Sequence, residues 1–314
     1  MTELKENWEK DILTKIATEG LKEHQRSRRW GIFFKLLTFL YLFIILIMFS
    51  SADDPQPMGK SGEKHTALVE LKGIIAPGSE ASADKIVSAL RRAFKHENTV
   101  GVILRVNSPG GSPVQSGYIY DEILRLRDKY PEIPLYAVIT DIGASGGYYV
   151  AAAAEKIYAD QASLVGSIGV RMDNFGVVEA MKKLGIERRT LTAGKNKALL
   201  DPFSPADPAV NKHLQTLLDN IHGQFINAVK QGRGDRLKEV DGMFSGLIWT
   251  GDQSVEIGLV DELASASQVA RDTIGAETIV DFSVKPDFFE RFSRGIGAEI
   301  SHILVEKTLL PELK

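Results

Sequence analysis

Leu135-Tyr136-Ala137-Val138-Ile139, then Gly143-Ala144-Ser145-Gly146-Gly147-Tyr148-Tyr149, then Val150-Ala151-Ala152-Ala153-Ala154: an apolar stretch leads to a serine flanked by glycines and on into an alanine-rich run. The order is strand, tight turn, helix start. Glycines let the backbone take a sharp, partly strained turn, and the first N–H groups of a helix face whatever stands beside the serine oxygen. A plain strand-to-helix turn has the same ingredients, so the stretch gains meaning from its neighbours. Upstream, Val100 to Val106 is a short apolar strand interrupted by Arg105, and it runs into Asn107-Ser108-Pro109-Gly110-Gly111-Ser112. Consecutive glycines leave backbone N–H groups unshielded, which suits an oxyanion hole. Strands of one sheet can deliver both turns to the same edge, placing donor amides opposite Ser145.

A serine nucleophile needs a base. The chain carries His24, His65, His96, His213, His222 and His302, and none lies between Ser145 and Asp201. Triad members need not be near in sequence, so histidine stays open. His24 precedes the apolar N-terminal run, however, and His213 and His222 fall in a helix-like stretch, Ala209 to Lys230, where an exposed or packed histidine is the ordinary outcome. Lysine does the same work when burial or a positive neighbour keeps it neutral. Thr190-Leu191-Thr192-Ala193-Gly194-Lys195-Asn196-Lys197-Ala198 reads as a strand ending in a loop, which leaves Lys195 and Lys197 as candidates. By charge alone, such a pair is also an ordinary solvated loop.

Ile32 to Phe49 is almost wholly apolar, broken only by Lys35 and Thr38. At about 1.5 Å of rise per residue it approaches the hydrocarbon thickness of a bilayer, so it reads as one membrane span. Ser50-Ser51-Ala52 also fits a signal-peptide cleavage site, but the long N-terminal segment before the run and the length of the run itself favour an uncleaved anchor. Lys22, Arg26, Arg28, Arg29 and Lys35 crowd its N-terminal flank, while Asp53 and Asp54 stand beyond the other end. The positive-inside rule then keeps the N-terminus cytoplasmic and the rest of the chain outside. Before the run, Glu6 to Glu23 has the spacing of a short amphipathic helix.

The remaining length is enough for one α/β domain with a sizeable core. A net charge of −3 over 314 residues offers no basic field for nucleic acid. There is no cysteine, hence no disulfide framework or thiol chemistry, and neither a phosphate-binding glycine loop nor metal-ligand spacing, so no cofactor and no metal are expected. Strand-like and helical runs alternate: Ala67 to Leu71, Ala83 to Lys95, Val100 to Val106, Ser116 to Tyr130, Leu135 to Thr140 and Tyr148 to Ala154. This is the pattern of α/β crossover units. Lys156 to Ala159 and Leu164 to Val170 add extended pieces, and Phe175 to Leu184 returns to helical spacing. Pro202, Pro205 and Pro208 exclude a regular element between Asp201 and Pro208, and Asp207-Pro208 suits a helix start. Pro286 to Leu309 has the spacing of a C-terminal amphipathic helix.

Asn107-Ser-Pro-Gly-Gly-Ser112, Ala144-Ser-Gly-Gly-Tyr-Tyr149, Val165-Gly-Ser-Ile-Gly-Val170 and Gly194-Lys-Asn-Lys197, in that order, resemble the signal peptide peptidase A (protease IV) family of membrane-bound serine proteases. The resemblance covers roughly Thr66 to Leu263. It implies a crotonase-like (ClpP-like) α/β fold behind an N-terminal transmembrane helix, and a serine/lysine dyad that hydrolyses peptide bonds. Ser145 matches the nucleophile, Lys197 the general base, and Ser167 a serine that orients the lysine; Gly110, Gly111 and Gly146 match the oxyanion hole. Family members often carry an aromatic residue or histidine before the lysine, where this chain has Asn196. The implied partners are peptide substrates such as signal peptides, the lipid bilayer, and further copies of the chain, since family sites are completed across neighbouring units. The implied location is the bacterial inner membrane with the catalytic domain periplasmic or extracytoplasmic. The expected organisation is a cytoplasmic segment (1–31), an anchor (32–50), a linker (51–65), a crotonase-like protease domain (66–285) and a C-terminal amphipathic helix (286–314). A lysine base must lose its charge to act, so activity is expected to rise with pH. The competing readings are an inert scaffold of the same fold and a crotonase-type acyl-CoA enzyme, which would not need the Ser145/Lys197 pair.

Overall fold

The computed structural model describes residues 2–50 and 62–284. The expected C-terminal helix and most of the expected linker lie outside the described residues. The chain divides into two compact units, Met1–Gln56 and Pro57–Lys314.

The described residues of the first unit form a single helix, α1 (Thr2–Ser50). The sequence divides this region into a charged half and an apolar half, yet the helix runs through both. Its only breakers are Gly20 and Gly31, each costing about 1 kcal/mol, and no proline interrupts the ladder. Within Thr18–Leu46 an 18-residue window reaches a mean hydropathy of 1.8, so the helix is long and apolar enough by length and composition to cross a membrane. The Thr38 hydroxyl donates to the Phe34 carbonyl at 2.9 Å, which satisfies a polar side chain inside the apolar run.

The second unit is built on a mixed sheet. Its elements are β1 (His65–Lys72), α2 (Ala83–Lys95), β2 (Thr99–Ser108), α3 (Pro113–Lys129), β3 (Leu135–Ala144), α4 (Gly146–Ala151), β4 (Lys156–Ala159), β5 (Leu164–Gly166), α5 (Val178–Lys183), α6 (Pro208–Arg233), β6 (Ile248–Thr250), α7 (Gly251–Glu256), β7 (Glu262–Leu263) and β8 (Ile279–Asp281). The main strand order is β6-β5-β3-β2-β1-β8, with β4 against β3 and β7 against β4. All pairs are parallel except β5 with β6. The expected crossover units β1-α2-β2-α3-β3 are present. Their strands are apolar along most of their length because both faces are covered, broken where Glu70 of β1 and Arg105 of β2 pair at 2.7 Å. Val102, Leu104 and Val106 of β2 join the large core under α2, α3 and α4, while Ile103 turns to a smaller one with Leu68, Tyr136, Val138, Val269 and Ala270.

β3 changes partner along its length. Tyr136 to Ile139 pair with β4, and Ile142 to Ala144 pair with β5. The turn between β4 and β5 closes the gap with one side chain: the Ser163 hydroxyl lies against the carbonyls of Ile139 and Thr140 and accepts from the Asp160 N–H at 3.0 Å. The upper end of β3 is thereby set beside β5, and Ser145 beside Ser167.

Behind that end, α4 runs into buried Ala151, Ala152, Ala153 and Ala154. Small residues let α6 come close, and a Cβ at Gly232 would strike the Ala152 carbonyl. At its C-terminus α6 buries Arg233, whose Nε donates to the Gly258 carbonyl at 2.8 Å and whose Nη1 reaches Asp261 at 2.7 Å. Asp261 also accepts the Ile157 N–H at 2.7 Å, so one carboxylate ties α6 to β4. Desolvation raises the Asp261 pKa, but the Arg233 and main-chain hydrogen bonds outweigh it and hold the group below the usual carboxylate range.

Two expectations are corrected. Thr190 to Ala193 forms no strand; it lies exposed and pairs with none of the sheet's strands. The extended piece expected from Leu164 to Val170 ends at Gly166, where a φ of 103° followed by 48° at Ser167 turns the chain out of the sheet. Asp207 does cap α6, its carboxylate accepting the Ala209 N–H at 2.8 Å with Pro208 in the first turn.

Candidate active site

Ser145 stands between β3 and α4 with φ 52° and ψ −125°. A serine held at positive φ costs about 1–2 kcal/mol, and the surrounding bonds must fix it there. They do: its N–H donates to the Gly166 carbonyl at 2.8 Å and its own carbonyl accepts from Tyr149 at 2.9 Å. Behind it, the Tyr148 hydroxyl donates to the Leu259 carbonyl at 2.7 Å. Burial pushes the Tyr148 pKa up, so this phenol stays neutral. Tyr149 packs between Tyr120 and Phe225 at ring separations of 5.3 and 5.0 Å. The Ser145 side chain is half-buried, and among the described residues its hydroxyl has no hydrogen-bond partner.

The turn after β2 packs directly onto this elbow. Ile75 brackets it, donating to the Gly110 carbonyl at 2.9 Å and accepting from Ser112 at 2.7 Å. The Ser108 hydroxyl donates to the Gly73 carbonyl at 2.6 Å and accepts the Gly110 N–H at 3.1 Å. A Cβ on Gly110 would sit 2.6 Å from the Gly146 nitrogen and 2.7 Å from the Ser145 Cβ. One on Gly146 would sit 2.5 Å from the Ser116 hydroxyl and 3.2 Å from the Gly111 nitrogen. The two turns therefore touch only because these positions carry no side chain. Among the described residues, the N–H groups of Gly111 and Gly146 have no acceptor, whereas that of Gly110 is taken by Ser108. Two unpaired donors beside a serine hydroxyl can hold an oxygen that becomes negative when that serine attacks a carbonyl.

Ser167 follows β5, whose Gly166 is in register with Ala144, so Ser145 and Ser167 leave neighbouring parallel strands at the same end. Its φ of 48° is again left-handed, and its N–H donates to the Leu247 carbonyl at 2.7 Å. Lys195 and Lys197 are placed differently. They lie on an excursion between β5 and α6 that is held by its own contacts: Val177 N–H to the Pro202 carbonyl at 2.8 Å, Arg188 to Asp201 at 3.2 Å, and the Arg188 guanidinium 4.8 Å from the Phe203 ring. Both lysines are exposed, and among the described residues neither side chain forms a hydrogen bond or ion pair. The structure thus brings together Ser145, Gly110, Gly111, Gly146 and Ser167, while Lys197 lies exposed on the excursion. Leu191 is fully exposed, and Phe175 and Leu184 are 80% and 73% exposed, so this segment presents apolar surface to solvent.

Three contributors have no signature in the sequence. The Leu247 carbonyl and the Trp249 ring, 3.1 Å from where a Gly166 Cβ would lie, come from β6 and the turn before it. His222 on α6 reaches the Ile168 carbonyl through Nε2 at 3.1 Å. A carbonyl partner leaves no mark on residue identity, so spacing alone cannot reveal these contacts.

Comparison with known proteins decides the family. The model of Peptidase family S49 matches residues 127–276, which contain Ser145, Ser167 and Lys197. A putative signal peptide peptidase SppA of Enterococcus faecium is 30% identical over 74% of this chain and 69% of its own length. The chain belongs to the S49, or signal peptide peptidase A, family. A putative protease of Synechocystis is 32% identical over 67% of the chain and 73% of its own length. A Brucella abortus protein named Na(+)/H(+) antiporter NhaA is 39% identical over 68% of the chain, but this chain spans only 30% of that protein's length. Gly110 and Gly111 lie before the S49 match, and their contact with Ser145 and Gly146 links that part of the fold to the S49 region.

Proposed function

We propose that this chain is a membrane-anchored serine endopeptidase with a crotonase-like fold, acting on signal peptides or other membrane-derived peptides through Ser145 and Lys197. The observation that carries the reading is the strained Ser145 elbow packed against Gly110, with the unpaired N–H groups of Gly111 and Gly146 beside it. In the first step neutral Lys197 takes the Ser145 proton as the oxygen attacks the scissile carbonyl. The carbonyl oxygen becomes an oxyanion held by Gly111 and Gly146. Collapse breaks the C–N bond, and the lysine ammonium returns its proton to the leaving amine. A water, deprotonated by the same lysine, then hydrolyses the acyl-enzyme. Ser167 orients the lysine, and Gly110 acts by letting the two turns meet.

Lys197 reaches Ser145, on this reading, from the excursion of a neighbouring copy in a homo-oligomer. The exposed Phe175, Leu184 and Leu191 of that segment support the assignment, since such side chains gain from burial against a second copy. The apolar stretch of α1 with basic residues on its N-terminal side supports an inner-membrane anchor, a cytoplasmic N-terminus and an extracytoplasmic catalytic domain.

The test is cleavage of a model signal peptide by detergent-purified protein, wild type beside Ser145→Ala, with a fluorophosphonate probe read by mass spectrometry. Cleavage and labelling at Ser145, both lost in the variant, are expected. A folded oligomer that neither cleaves nor labels would point to an inert scaffold.

A further inference from the structure

The loop Gly166-Ser167-Ile168 carries a backbone conformation that a serine does not choose freely, with φ of 48° at Ser167. Three hydrogen bonds fix it. The Gly166 carbonyl accepts from the Ser145 N–H at 2.8 Å, the Ser167 N–H donates to Leu247 at 2.7 Å, and the Ile168 carbonyl meets His222 Nε2 at 3.1 Å. The first two join main chain to main chain and survive any change of side chain. The third comes from a side chain 54 positions away, in the middle of α6.

We infer that His222 is a positioning residue for the active site, acting through the Ile168 carbonyl to hold Ser167 beside Ser145. Carbonyl oxygens only accept, so Nε2 must carry a hydrogen and His222 is the donor. The Ile168 side chain is fully buried, as is that of Val165, so both flanks of the loop are anchored in the core. With the flanks fixed, the direction of the Ile168 carbonyl sets the orientation of the peptide between Ile168 and Gly169, and through the backbone of Ile168 the aim of the Ser167 hydroxyl. Removing the donor leaves a half-buried carbonyl without its partner and frees the loop to turn toward water. His222 touches neither substrate nor the reacting atoms in this scheme. Only its effect on turnover rests on the proposed peptidase reading; the clamp itself is a property of the fold.

The full-length protein in detergent provides the test, with His222→Leu, which removes the donor, and His222→Gln, whose amide restores one. In His222→Leu, kcat is expected to fall about tenfold to a hundredfold with KM little changed, as a small misplacement of a catalytic group would produce. In His222→Gln, kcat should recover to near the wild-type value. Hydrogen exchange measured on a peptide covering Ser163 to Val170 should quicken in the leucine variant and stay protected in the glutamine variant. Unchanged kcat and exchange in His222→Leu would overturn the inference, and so would equal loss of kcat in both variants with protection intact. Should the leucine variant fail to fold, side-chain nitrogen NMR of the wild type decides: a hydrogen on Nε2 is expected, and a neutral ring protonated at Nδ1 alone overturns it. Faster exchange in the leucine variant of a wild type that cleaves no peptide would uphold the clamp and sink the peptidase reading.

Discussion

The elbow that carries Ser145 and the excursion that carries Lys197 are built on opposite plans. Ser145 is fixed by main-chain bonds to β5 and α4, with glycines of a second turn pressed against it. The excursion leaves the sheet after β5, α5 buries none of its residues, and Lys197 projects from a turn. On the proposed reading, the nucleophile and its oxyanion donors are preorganised within one chain, and the base is supplied by assembly. If the proposed assembly holds, an isolated protomer has a serine without its base, and quaternary structure acts as a switch.

The largest effects should come from breaking that division of labour. Ser145→Ala and Lys197→Ala are each expected to lower kcat on a model peptide by about 10⁴-fold or more, and the double variant should lose no more than either alone. Lys195→Ala should stay within a few-fold of wild type. Mixing detergent-solubilised Ser145→Ala with Lys197→Ala under exchange conditions sharpens the comparison. Regained cleavage means that a serine of one copy works with a lysine of another; none means that the dyad forms within a chain.

Next in size, Gly110→Ala forces a methyl to within 2.6 Å of the Gly146 nitrogen at a φ of 98°. A loss of about a hundredfold in kcat is expected, with the fluorophosphonate labelling rate at Ser145 falling in parallel. Lys197 is untouched by this change, so it isolates the preorganised half.

Asp261→Asn weakens the tie between α6 and β4 and leaves buried Arg233 without its counter-charge. Urea unfolding should report a loss of about 3 kcal/mol. The excursion has little share in that tie, so early proteolytic cuts near exposed Arg189 and Leu191 should keep their wild-type rate under native conditions.

The smallest effect concerns acid stability. A hydrogen bond from Arg125, opposed by burial and aided by Arg91, holds the Glu122 carboxyl down to about 2. A carboxyl depressed in the folded state stabilises the fold above its unfolded pKa near 4.3, and that contribution is lost as pH falls toward 2. Glu122→Gln should therefore lower the unfolding free energy read from urea titration at neutral pH by under about 1 kcal/mol, given the exposed arginines, and the gap to wild type should close in acid.

Much of this is legible in the sequence, and the limits have physical causes. Helix α2 matches the expected Ala83 to Lys95, since its apolar residues recur at helical spacing. The two glycine turns are visible because close backbone approach demands a missing side chain. The partner change along β3 is hidden, because Ile139 and Ile142 are equally apolar whichever strand lies beside them. Thr190 to Ala193 has strand composition and no strand to join. His222 reads as one more polar residue on a helix, since its partner is a carbonyl. Lys197 stands out only through the family motif, and nothing local in the chain says what it faces.

The exchange of neighbours along β3 also draws a fault line across the sheet. Below Thr140 the strand is zipped to β4; above Asp141 it is zipped to β5, with the Ser163 hydroxyl as the stitch between the two seams. Local opening can part the upper seam, from Ile142 to Ala144, while the lower one stays shut. The strand end that presents Ser145 can then open separately from the rest of the strand, and the Ser163 hydroxyl is the side chain that couples the two.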